Sequence, residues 1–243
     1  MFKRILFNSI LIGSSIQIYA QDTTVVSQTE VIQRLERLES YNQVKNVMGS
    51  FVYLLNATHF NEIPNLFALD QKDVRSEMAW GVYEGASSIK RLYTKEVAQP
   101  EQVNEGKGQL NVYNLTTPVI EVAKDLKTAK GVWIVPSVNT GYYTSDKITA
   151  NWGYTKYAAD FINVNGEWKI WHLHQYGIFM TPYEKSWMQP RVKPKAGEKP
   201  PSFISFNPDH PSTTHWNYSS ESKPELVPVP PKPYEQFNPK DAY

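Results

Sequence analysis

Two histidines two residues apart, His172 and His174, are the side chains best suited to proton transfer near neutral pH. On a strand they share a face, and alternation adds Trp168, Ile170 and Tyr176 to it. Two imidazoles in an aromatic pocket suit general acid–base work; the plainer alternative is a pair of partly buried histidines satisfied by neighbours. They could share a metal ion, but no third ligand is evident and the chain has no cysteine, so neither a metal nor a cofactor is expected. Tyr53 and Asn56 lie one turn apart on a helical stretch. Tyr53 could polarise a substrate oxygen, although a core tyrosine with a satisfied hydroxyl is commoner. Asn56 can orient a partner or hold an oxyanion but cannot act as a base. His59 could touch a ligand, or simply sit where the helix dipole favours it. Trp152, Tyr154, Lys156 and Ala158 share one strand face. With Trp133 and Tyr83 they would line a pocket for a flat aromatic or polycyclic ligand, unless they form a core or a dimer face. Glu77 could be a pocket carboxylate, an exposed ion pair being the simpler expectation.

The elements that would position these residues follow from periodicity. Residues 28–59 carry apolar side chains at spacings of three and four, from Val31, Leu35 and Leu38 through Phe51 to Leu55, which predicts a long helix capped at Ser27 or Thr29. A short helix is predicted over Glu62–Leu69, with Pro64 early in it. A strand over Asp73–Trp80 and a helix over Ala86–Ala98 follow. Leu110–Val122, Ala129–Val138, Ile148–Val164 and Glu167–Met180 are rich in β-branched and aromatic residues and read as four strands. Asn165-Gly166 is the strongest hairpin signal. Helices first and an antiparallel sheet afterwards make an α+β plan. Apolar residues on both faces of the 148–164 strand predict that both are covered, hence a homodimer or higher homo-oligomer.

The ends differ from the middle. Lys3 and Arg4 precede an apolar run over Ile5–Ile12 that is too short to span a bilayer, with a small residue at Ala20. Residues 1–20 therefore read as a signal peptide, and the protein as exported, periplasmic or secreted, without stable membrane insertion once the signal is removed. Residues 21–182 form the domain. Residues 183–243 form a proline- and aromatic-rich extension expected to lie against a surface. A net charge of +1 gives no footprint for nucleic acid. Phosphate-loop, serine-elbow and zinc-protease motifs are absent from the sequence.

Three segments resemble the SnoaL-like branch of the nuclear-transport-factor-2-like superfamily. They are Tyr53–Asp70 (YLLNATHFNEIPNLFALD), Gly81–Ile89 (GVYEGASSI) and Asn165–His174 (NGEWKIWHLH). The resemblance spans residues 28–182. It implies a cone in which a curved sheet closes over helices around a pocket. It also implies acid–base enzymes such as dehydratases, isomerases, cyclases and lyases of lignin-derived diaryl compounds, beside members that only bind ligands. Asn56 falls near a position where several members carry an acidic residue, a departure that puts any Asp–His mechanism copied from them in doubt. The expectation is a cofactor-independent lyase, dehydratase or isomerase of a small aromatic or polycyclic compound. His172 or His174 would move the proton, and Tyr53, Asn56 or Tyr154 would hold the oxygen. The alternative is a non-catalytic binder of a small hydrophobic ligand.

Overall fold

In the computed structural model, the structure describes residues 27–100, 105–144, 147–188, 205–214 and 218–243. The expected signal peptide lies outside them. Helix α1 spans Gln28–Asn56 and begins where the Ser27 hydroxyl accepts the Glu30 amide. A 3-10 segment, Phe60–Leu66, takes the place of the expected second α-helix. Strands β1 (Arg75–Met78) and β2 (Gly81–Glu84) follow, then α2 (Gly85–Arg91), continued by one π turn over Leu92–Glu96. The expected 110–122 strand divides into β3 (Asn111–Tyr113) and β4 (Thr116–Val122). Three long strands complete the sheet: β5 (Thr128–Thr144), β6 (Lys147–Val164) and β7 (Glu167–Pro182). At the β6–β7 turn, Asn165 (φ 54°) and Gly166 (φ 92°) take the left-handed conformations that a two-residue hairpin demands.

The sheet is large, curved and unclosed, in the order β2-β1-β7-β6-β5, with β3 and β4 both pairing β5. Only β1–β7 is parallel. This is the α+β plan expected. The core lies between α1 and the sheet: Val44, Met48, Phe51, Val52 and Leu55 bury against residues such as Trp133, Tyr157, Phe161, Ile170 and Leu173. Phe51 meets Phe67, Tyr93 and Tyr157 edge-on, with ring centroids 5.8–6.4 Å apart. Aromatic side chains fill this side.

Part of the α1 pattern has another fate. Val31, Leu35 and Leu38 fit the helical period but are exposed, because residues 28–39 extend past the body. No helix among the described residues is long and apolar enough to cross a membrane.

The other sheet face is covered by residues 205–214 and 218–243 of the same chain. His210 bridges Val82 on the edge strand β2, which satisfies an otherwise open edge. Pro208 packs so closely on Gly81 that a Cβ there would sit 2.3 Å from the proline's Cβ. Further along, Lys156 donates to the Val227 carbonyl and Lys124 to the Glu235 carboxylate. Val227 and Tyr243 pack on Val132, Ala158 and Tyr176. The second covered face of β6, which suggested a dimer, is covered by the chain's own C-terminal segment.

Candidate active site

A bulge decides which way the histidines point. Across β6–β7, Asp160 pairs with His172 but Phe161 pairs with Ile170, so Trp171 is an extra residue. Trp168 and Ile170 therefore enter the helix-side core, whereas His172, His174 and Tyr176 face the C-terminal segment. The expected common face of Trp168, Ile170, His172 and His174 is corrected by this one residue, as period-2 alternation cannot foresee a bulge.

His172 is 2% exposed, and its Nδ1 lies 2.8 Å from Asp160 Oδ2. Asp160 is fully buried. It also accepts Lys130 Nζ at 2.5 Å and the Tyr243 amide at 2.9 Å. A carboxylate bound by donors on every side gives the shared hydrogen to the imidazole, so Nδ1 carries the proton and Nε2 is the basic nitrogen. That Nε2 is buried with no hydrogen-bond partner among the described residues. The Asp73 carboxylate lies 3.7 Å from it, on a half-exposed side chain that also accepts the Trp171 indole N–H. Phe237 lies over Trp171 and His172, with ring centroids 4.6 and 6.2 Å away. The Lys130 ammonium bonds the Asp241 carbonyl at 2.7 Å and sits 4.2 Å from the Tyr243 ring centroid.

A second His–carboxylate pair adjoins the first. His174 Nε2 lies 3.2 Å from both Glu77 Oε1 and Thr214 Oγ1, and its ring stacks on Tyr176. Glu77 is buried, not the exposed ion-pair member expected. It also accepts the Ser212 hydroxyl and the Thr213 amide and hydroxyl. Burial alone would raise its pKa, but the bonds from His174 and Thr213 prevail and hold it at about 2. Burial pushes the Tyr176 phenol up to about 12, and the charges of Glu77 and Asp160 add to the shift.

The other expected residues lie elsewhere. Tyr53 is 77% exposed on α1. Asn56 ties α1 to β3 through two hydrogen bonds with the Tyr113 backbone, 3.0 and 2.9 Å. His59 is exposed and pairs with Glu62 at 2.8 Å. Trp133 packs edge-on to Phe161 in the helix-side core, and Tyr83 donates there to Glu96 at 2.5 Å. Trp152 and Tyr154 are on the opposite sheet face, so the four do not form one pocket. Trp152 and Tyr154 instead cluster with Phe179 and Trp187. Six to eight residues of strand separate them from Asp160, roughly 20–27 Å. Sequence reasoning missed Asp160, Lys130 and Asp73. Asp160 did leave a signal: it is a single carboxylate in the apolar run Ala158-Ala159-Asp160-Phe161-Ile162, and a charge buried there needs a partner. Among the described residues, no group of three or more His, Asp or Glu side chains could hold a metal ion.

No curated protein matches the chain significantly. Solved structures resemble it in fold. A type 2 hexachlorocyclohexane dehydrochlorinase, LinA, matches with TM-score 0.50 and 14% identity over 65% of this chain and 97% of its own. A second LinA structure gives TM-score 0.50 and 13% identity, covering 65% and 99%. A putative scytalone dehydratase from Novosphingobium aromaticivorans DSM 12444 gives TM-score 0.49 and 15% identity, covering 63% and 93%. Identities this low speak to the fold alone. The family model for the SnoaL-like domain matches residues 36–174, more than half of the chain and the stretch from α1 to His174, and the protein belongs to that family.

Proposed function

We propose that the protein is a cofactor-independent lyase or isomerase of a small aromatic compound, with the His172–Asp160 pair as its proton-transfer group. One observation carries the reading: His172 is oriented through Nδ1 and keeps a buried Nε2 with no hydrogen-bond partner among the described residues. A buried polar atom without a partner is costly unless it has work to do. In an elimination, Nε2 takes a proton from carbon, and the C–H electron pair becomes the new double bond. The imidazolium, flanked by Asp160 and Asp73, returns that proton to the departing oxygen. Access requires the segment holding Phe237 and Tyr243 to lift. The Lys130 ammonium then loses the Asp241 carbonyl and is left with a donor for a developing oxyanion. The aromatic rings now over Lys130 and His172 occupy the space a substrate ring would take. Within this class, the sequence resemblance favours a lignin-derived diaryl compound.

A second reading, a binding protein without turnover, is favoured by the near-complete cover of both imidazoles, 2% and 6% exposed. The test is mass-spectrometric turnover of a panel of phenolic, diaryl and steroid-like alcohols without added metal or nucleotide. The expected product is lighter by water or formaldehyde, or is an isomer of equal mass. His172→Gln, which keeps a donor for Asp160 but no base, should cut the rate by about 10²–10⁴ with affinity within about tenfold. Wild-type rate in that variant would remove His172 from the mechanism. Tight retention of one compound without conversion would establish the binding protein.

A further inference from the structure

Among the described residues nothing buries the first three turns of α1, which rest on the Ser27 cap, the Arg34–Glu30 pair and continuity with the anchored remainder of the helix. Every residue from Gln28 to Glu39 is exposed, and an isolated helix of about a dozen residues is marginal in water. The turns nevertheless carry large apolar side chains: Val31, Leu35 and Leu38 are 44%, 59% and 57% exposed. At about 100° per residue, these three and Asn42 fall on a strip about 60° wide. The strip lies roughly opposite the face that buries Val44, Met48, Phe51 and Leu55 in the body. Their intervals of four, three and four are those of a coiled-coil seam.

We propose that this strip is the docking surface for a second copy of the chain, with the two α1 helices parallel along Val31–Asn42. Two features select that occupant. Arg34 and Glu39 flank the seam five residues apart, the interval at which oppositely charged residues of two parallel helices meet. Their present partners, Glu30 for Arg34 and Gln43 for Glu39, are exposed neighbours on the same helix and bind weakly. Asn42 is the polar residue within the seam, and an asparagine pair there fixes parallel register. The seam ends at Asn42 because the next position, Lys45, would meet the same lysine of the second copy. The surface is independent of the sheet face that the C-terminal segment covers.

Sedimentation equilibrium of the full chain should give twice its 27.9 kDa. Leu35→Glu/Leu38→Glu, at exposed positions that leave the body intact, should reduce it to the single-chain mass. Arg34→Glu should weaken association at least tenfold, and adding Glu39→Arg should restore it. The chain has no cysteine, so Asn42→Cys reports orientation: parallel helices oxidise to a covalent dimer and antiparallel ones do not. A wild-type monomer, a dimer indifferent to Leu35→Glu/Leu38→Glu, or failure of Asn42→Cys to cross-link would each overturn the proposal. Binding to phosphatidylserine vesicles that disappears in Leu35→Glu/Leu38→Glu would assign the strip to lipid and overturn it too.

Discussion

The two faces of the sheet are covered by different physics. On the helix side, α1 lays a periodic apolar stripe on aromatic and aliphatic side chains, and burial holds the layers together. On the other side an extended segment lies over Lys130, Asp160, His172, His174, Glu77 and Arg75. It is held largely because each polar group needs a partner. The helix side has few polar contacts, such as Ser76 with Tyr93 at 3.1 Å. The segment side has a small apolar cluster around Val132, Ala158 and Tyr176 and, further along the strands, the aromatic group of Trp152, Tyr154, Phe179 and Trp187. A layer held by burial tolerates changes of shape poorly and changes of pH well. A layer held by charge-assisted hydrogen bonds should show the reverse.

Truncation breaks the comparison most directly. Phe51→Ala should cost about 3–5 kcal/mol and lower global stability in denaturant. Asp160→Leu leaves a buried lysine and histidine without their carboxylate and should cost a similar ~3–5 kcal/mol. Limited proteolysis distinguishes the two. Asp160→Leu should expose sites within residues 225–243 while the sheet survives; cleavage spread evenly over the chain would mean the faces are not separate.

Acid should act on the segment side first. The Glu77 pKa is depressed from 4.5 to about 2, so its contribution is fully present above pH 4.5. It falls as the pH drops from 4.5 and is gone below about 2. The size is at most about 3 kcal/mol. Glu77→Gln should flatten that part of the stability–pH curve, and a curve unchanged by the substitution would remove Glu77 as its cause. The smallest expected effect is at Gly81. Gly81→Ala pushes Pro208 off β2 and should cost about 1–3 kcal/mol, read as faster amide exchange at Val82 and His210 with β6 unchanged.

The helix side was legible in the sequence because the period of α1 and the long β-rich runs each state which residues face inward. The same period misled at Val31, Leu35 and Leu38, since periodicity records an apolar face without saying what covers it. The site was half legible. His172 and His174 stood out by type and spacing, and Asn165-Gly166 fixed the hairpin that carries them. Their direction was hidden by the extra residue at Trp171. Their carboxylate partners come from β6 and β1, which no local pattern connects to β7. Tyr53 and Asn56 looked chemical because of their types, but one faces solvent and the other joins α1 to β3. The cover over the histidines was illegible, since an extended segment bound through its backbone leaves no periodic mark.

The C-terminal segment also has a place in time. Its contacts reach far back along the chain, as far as 168 residues between Arg75 and Tyr243, whereas β6 and β7 meet across a two-residue turn. Closing long loops is slow, and a chain made from its N-terminus folds what has already emerged. The strands carrying Asp160, His172 and Lys130 are made before residues 225–243, so a growing chain holds this cluster open to water until that segment arrives.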